Sequence, residues 1–186
     1  DVTHVEVRMA MPAPGDDDPR WSYELAGGAL MDLGCYGLHV VRSLGRLAVP
    51  GIEGRPSIVR AHAEQRTPEV DAWCDVDLGF PGGATGLAAH SMVGEDYSFT
   101  IRIVGMHGDL LVHDFIKPNE DDRLTLRTPH GTTVERLGTR PSYTYQLEAF
   151  AAHVEHGAPL PFGTEDAVAN MTMVDAAYRA AGMKPR

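Results

Sequence analysis

From Ser57 to Arg127 the chain passes through strand after strand: Ile58 to Gln65, Trp73 to Phe80, Ala84 to Met92, Ser98 to Val104, Leu110 to Phe115, and Leu124 to Arg127. The linkers carry Pro68, Pro81-Gly82-Gly83, Gly94, Gly105, Gly108 and Pro129-His130-Gly131, the residues that turns require. Turns this short cannot hold a crossover helix, so consecutive strands are expected to pair antiparallel. An earlier segment adds another strand, with Thr3, Val5, Val7, Met9 and Met11 alternating against His4, Glu6, Arg8 and Ala10. Cys74, Val76, Leu78 and Phe80 share one face while Asp75 and Asp77 take the other, so one side of the sheet is buried there. Helical periodicity is confined to about Ala29 to Leu44 and to the last third, where Ser142 and Thr164 are expected to N-cap helices closed by Gly157 and Gly182. Runs of strands with segregated helices predict an α+β fold: one domain over residues 1–186, an open, predominantly antiparallel (mixed) sheet with helices packed on one face.

Composition narrows the partners. The 186 residues carry a formal charge of -10 with scattered basic residues, which argues against a nucleic-acid surface. No apolar run approaches the roughly 20 residues of a membrane span. Cys35 and Cys74 have no CxxC spacing and read as reduced thiols, and the nine histidines form no HxH or HExxH pattern, so no metal site is expected. The expected compartment is the cytoplasm. The chain begins at Asp1 inside a strand-like segment, as a piece of something longer would.

Chemistry is concentrated in Gly27-Gly28-Ala29-Leu30-Met31-Asp32-Leu33-Gly34-Cys35-Tyr36-Gly37-Leu38-His39. Offsets of four and seven return to nearly the same helix face, so Asp32, Tyr36 and His39 are expected to project together. Such a stripe needs hydrogen-bond partners or a ligand. Its alternative is structural: a paired Asp32, an amphipathic Tyr36 and a buried His39. Gly27 and Gly28 either let a cofactor approach the helix N-terminus or form a tight loop needing positive φ. The loop from Pro12 to Pro19, with Asp16-Asp17-Asp18, is a solvated segment and a candidate lid.

The stretch from Arg20 through Tyr36 resembles the start of the C-terminal domain of the Gfo/Idh/MocA oxidoreductases, in the branch of glucose-fructose oxidoreductase and dimeric dihydrodiol dehydrogenase. Ser142-Tyr143-Thr144-Tyr145-Gln146-Leu147-Glu148-Ala149-Phe150 and the segment from Glu165 to Gly182 are similar to the same family, in order. The resemblance implies an N-terminal Rossmann domain that binds NAD or NADP, with this domain supplying the substrate wall and a sheet used for homo-oligomerisation. It also implies Asp32 and Tyr36 as catalytic residues, with Tyr36 the proton donor or acceptor toward a sugar-like or related CH-OH substrate. Arg20, His39 and Tyr143 become substrate contacts, and Gly27 and Gly28 cofactor contacts. The helix departs from the family's common Asp, His, Asp pattern, with Tyr36 at the second position and His39 at the third. No Gly-x-Gly-x-x-Gly follows a strand, and Lys117-Pro118 follows Ile116 rather than the family's Glu. The fragment alone is therefore expected to be inactive. A non-catalytic dimerisation or small-ligand-binding module is the alternative, decided by whether a nucleotide-binding half precedes it.

Overall fold

The structure, a computed structural model, describes residues 1–47 and 49–185. Strands β1 (Val2–Ala10), β2 (Ser57–Thr67), β3 (Val70–Gly79), β4 (Thr85–Ser91), β5 (Ser98–Gly105), β6 (Gly108–Val112), β7 (Arg123–Thr128) and β8 (Gly131–Arg136) form one sheet in the order β2-β3-β4-β1-β5-β6-β7-β8. Among the described residues only β1 and β4 pair parallel as neighbouring strands; every other neighbouring pair of strands is antiparallel. The single parallel pair arises because β1 slots between β4 and β5, far from its sequence neighbours. Period-two alternation did its expected work: Val5, Val7 and Met9 face inward beside Cys74, Val76 and Leu78 and beside Ala88 and His90. β8 goes beyond the expected strands; its all-exposed sequence Gly-Thr-Thr-Val-Glu-Arg offers no buried face to read, and the hairpin at Thr128–Gly131 supplies the pairing.

Among the described residues three α-helices follow the expected layout: α1 (Cys35–Leu44), α2 (Ser142–His156) and α3 (Thr164–Ala180). A π-helical turn, Leu30–Gly34, leads directly into α1. Neither Ser142 nor Thr164 is a cap: each is the first helical residue, preceded by Pro141 and Gly163, neither making a side-chain cap bond. Pro141 enters with extended backbone and Thr144 N–H bonds its carbonyl, which leaves the serine inside the first turn. Gly157 closes α2 at φ 67, the left-handed position where glycine carries no Cβ penalty.

The core lies between the sheet and the π-turn, α1 and α3. Leu30, Leu38 and Val41 meet β1, β3 and β4, and Val174, Ala177 and Tyr178 close the other side. Each such aliphatic side chain contributes roughly 1.5–3 kcal/mol on burial. α2 has no buried residue and leaves Leu147, Phe150 and Val154 exposed along one side. No helix among the described residues is long and apolar enough to cross a membrane.

Candidate active site

Two helical segments separated by a tight elbow build the site. Asp18 accepts the Arg20 backbone N–H at 2.9 Å and caps the short 3-10 turn Pro19–Trp21, with proline at the position where a missing N–H costs nothing. Trp21 anchors that turn: its indole N–H donates to the Pro14 carbonyl at 3.2 Å, and the Arg66 guanidinium stacks 4.2 Å from its ring. Arg66 also pairs with Asp16, so the acidic loop is tied to β2. Gly27 donates its N–H to Ser22 at 2.8 Å and Gly28 to Arg20 at 3.0 Å, so both amides are already used within the elbow. A Cβ at Gly27 would collide with the Arg20 carbonyl, and Gly28 sits at φ +123, which accounts for both glycines by packing.

Beyond the elbow, Asp32 and Tyr36 line one cavity of about 420 Å³ together with Arg20, Gly27 and Cys35. Arg20 Nε donates to Asp32 Oδ2 at 2.9 Å, and Arg20 Nη1 reaches Asp18 Oδ2 at 3.3 Å. The hydrogen bond and charge of Asp32 hold the guanidinium pKa up despite partial burial. Tyr36 is 53% exposed. Its phenol is pushed above the ordinary value, first by burial, then by Cys35, Asp32 and Tyr143. Tyr143, at the start of α2, is thus within electrostatic reach of Tyr36, although its side chain is largely exposed. The Cys35 thiol is itself held up, mainly by burial. A half-exposed phenol beside an Arg-bridged carboxylate can exchange a proton with a hydroxyl or carbonyl oxygen seated in the cavity.

The profile of the GFO/IDH/MocA C-terminal domain matches residues 1–111. This chain belongs to that family. It is 31% identical over 160 residues to dTDP-3,4-didehydro-2,6-dideoxy-alpha-D-glucose 3-reductase of Streptomyces violaceoruber, covering 83% of this chain and 44% of the relative. It is also 31% identical over 170 residues to D-xylose 1-dehydrogenase (NADP(+)) 2 of Haloferax volcanii, covering 90% of this chain and 50% of the relative. Among solved structures, a Tyr-to-Phe variant of a 3-ketoreductase from Actinomadura kijaniata, in complex with TDP-benzene and NADP, superposes with a TM-score of 0.81. That match is 20% identical and covers 97% of this chain and 54% of the other. The chain thus spans about half the length of the curated relatives it matches.

Not every expected site residue of this GFO/IDH/MocA domain reaches the cavity. His39 turns toward α3: its Nδ1 lies 3.3 Å from Asp166 Oδ2, and its ring meets Phe162 edge-on at 4.7 Å. It lines a different cavity, of about 500 Å³, beside Arg46 and Phe162. Burial lowers its pKa, against the pull of Asp166. Asp166 also accepts from Arg42 Nη2 at 3.0 Å and pairs with Arg46; burial opposes its ionisation, but these cations hold its pKa below the ordinary value. The group therefore clamps α1 to α3. Asp18, expected only as part of a solvated loop, caps the 3-10 turn instead, a role with a legible signal in Asp-Pro at a helix start. Asp71 and His90, buried under the helix that carries Asp32 and Tyr36, had none in local pattern. Another cavity, of about 740 Å³ between α3 and the start of β2, is mostly apolar and lies away from Tyr36.

Proposed function

We propose that this domain is the substrate wall of an NAD(P)-dependent oxidoreductase acting on a sugar-like CH-OH or ketone substrate, with Tyr36 as the proton donor and acceptor. The carrying observation is the shared cavity of about 420 Å³ in which Tyr36 stands beside the Arg20–Asp32 pair. The names of the 31%-identical relatives, a sugar 3-reductase and an NADP-dependent xylose dehydrogenase, support the substrate class and cofactor. A Rossmann domain encoded before this segment would bind the NAD or NADP. The bound nicotinamide supplies or accepts the hydride. Every group acting on Tyr36 here raises its pKa, so the neutral phenol is ready to protonate a carbonyl oxygen as it is reduced. Proton abstraction, the oxidative direction, needs a cation against the phenol. Arg20 is already held by Asp32 and Asp18, so that cation belongs to the other domain.

Arg20 would border the substrate from the cavity wall and Tyr143 from outside it, near Tyr36, and Gly27 would contribute cavity wall near the cofactor, its N–H being committed to Ser22. The sheet face without helices would pair with a second copy. On that face Arg60 pairs with Asp77, and Asp109 with Arg102 and Arg127, so these charges would not be dried alone. Two free thiols, Cys35 and Cys74, support a reducing, cytoplasmic compartment.

The test is NADPH-dependent reduction and NADP-dependent oxidation by the full-length protein across free aldoses and dTDP-keto sugars, followed by cofactor absorbance. Tyr36→Phe is expected to lower kcat by roughly 10² to 10⁴ while leaving the melting temperature unchanged. Unaltered turnover in that variant, or no turnover by the unmodified protein on either substrate class, would sink the reading.

A further inference from the structure

The helix that carries Asp32 and Tyr36 starts on a buried carboxylate. Asp71, the second residue of β3, is wholly inaccessible to solvent. Its Oδ2 accepts the backbone N–H of Leu30 at 2.6 Å, and its Oδ1 accepts the Tyr178 hydroxyl at 3.1 Å from α3. The approach is close on both sides. Gly28, at φ +123, leaves no room for a Cβ, which would strike Asp71 Oδ1. Asp32 in turn donates its N–H to the Gly28 carbonyl at 2.9 Å. One carboxylate therefore joins the sheet, the elbow, the first turn of the helix and α3.

Its position gives it leverage over the site. The π-turn Leu30–Gly34 begins at the amide that Asp71 holds, and both cavity residues follow within a few residues of it. A π-turn carries one residue more than a regular α-turn and is rare, found mostly as single bulges in α-helices, so ordinary α-winding is its alternative. Such a change would rotate Asp32 against Tyr36, and a misplacement of about 1 Å in a catalytic constellation costs on the order of 10²-fold in rate. Charge-assisted hydrogen bonds to backbone N–H groups are shorter and roughly twice as strong as neutral ones. A carboxylate here fixes the start of the winding more firmly than any neutral residue could.

We propose that Asp71 is a positioning residue for the oxidoreductase reaction: through the Leu30 amide and Tyr178 it sets the winding of the helix start, and so the placement of Tyr36 against Asp32. The proposal rests on the reading of Tyr36 as the proton-transfer group.

The test is made in the full-length protein on whichever aldose or dTDP-keto sugar it turns over fastest. Asp71→Asn keeps the shape but replaces the charge-assisted bond by a neutral one. It is expected to lower kcat about tenfold with KM changed by less than about twofold, and Asp71→Ala to lower kcat by about a hundredfold where it folds. In a Tyr36→Phe background the same Asp71→Asn change is expected to cost less than about twofold, because coupled residues are not additive. Val76→Ala, which opens a hole in the core five residues along β3 from Asp71 and leaves the Asp71 hydrogen bonds in place, is the control for plain destabilisation and is expected to leave kcat unchanged. A readout without turnover is the titration of Tyr36 followed by NMR on Cζ-labelled tyrosine, where Asp71→Asn should move the ionisation back toward the ordinary phenol value and Val76→Ala should not. Full kcat together with an unmoved Tyr36 titration in Asp71→Asn would overturn the proposal. Loss of the Tyr36 role is told apart from this: Tyr36→Phe then retains turnover, and the titration alone decides whether Asp71 positions the ring.

Discussion

Tyr36 is a phenol whose neighbours all favour the proton. Burial acts first, then Cys35, then Asp32, then Tyr143. In the 186-residue chain its ionisation is therefore expected above the ordinary phenol value, and Asp32→Asn should lower it without restoring it, since the burial contribution stays. NMR titration of Cζ-labelled tyrosine measures both, and an Asp32→Asn chain with an unchanged Tyr36 titration would show that the two side chains are not coupled. The pairing of Asp32 with Tyr36 was legible in the sequence because a spacing of four is a local property of a helix, and it survives the π-turn. His39 was not legible in the same way. It follows Tyr36 by only three residues, yet Asp166 and Phe162, which lie far along the chain, draw it into a separate cavity. Arg20 reached Asp32 from the opposite direction: the resemblance pointed to it, while the physical cause is the Asp18 cap that turns its guanidinium inward.

At the scale of elements, the helix start and α1 rest on two buried polar side chains of the sheet, Asp71 on β3 and His90 on β4. His90 Nδ1 meets the Cys74 carbonyl at 3.2 Å and must carry the proton there, leaving Nε2 bare and without a hydrogen-bond partner among the described residues. Gly34 and Gly37 make room for the ring; a Cβ at Gly37 would strike Nε2. Burial lowers the His90 pKa to about 4, against 6.5 for the free side chain. The unfolded chain therefore takes up the proton first. Stability from neutral His90 is complete above about pH 6.5 and is lost as the pH falls through about 4, by about 3 kcal/mol in all at 1.36 kcal/mol per pKa unit. His39, also lowered by burial, acts in the same sense, while Asp75, raised by burial, acts against it. Urea unfolding at pH 7 and pH 4.5 should thus show a loss that is smaller in His90→Gln than in the parent; equal losses would mean that His90 is protonated within the fold. The strands and α1 were readable because hydrophobic period is local. Asp71 and His90 were not, since a lone polar residue in a strand says nothing of the glycine opposite until the strands are in register. The helix starts at Ser142 and Thr164 were off by one residue because the caps that the side chains suggested are not made.

For the molecule as a whole, the helices cover only half of the sheet. The π-turn, α1 and α3 pack on β1, β2, β3 and β4; the inward side chains are almost all buried in β1, β3 and β4, while β2, at the sheet edge, buries only Ala61. β6 is no more than half-buried, β8 is exposed throughout, and α2 has no buried residue. The predominantly antiparallel sheet with helices on one face was legible from strand runs and short turns. The parallel β1–β4 pair and the uneven cover depend on which strands finally lie side by side, a property of the assembled sheet that no window of sequence holds. Uneven cover should divide the molecule into a unit that opens only with global unfolding and one that opens locally. Strands that pair well but lack apolar burial lose little when their hydrogen bonds part, because water replaces those bonds and little hydrophobic area is exposed. Native-state hydrogen exchange on the 186-residue chain is therefore expected to show the slowest amides in β3 and β4, with those of β7, β8 and α2 exchanging at least about a hundredfold faster. Low concentrations of urea should speed β3 and β4 with the full dependence on denaturant of global unfolding, and β7 and β8 hardly at all, since local opening exposes little surface. Equal protection across the eight strands would mean that the far half of the sheet folds as one unit with the core and that helix cover does not set local stability here.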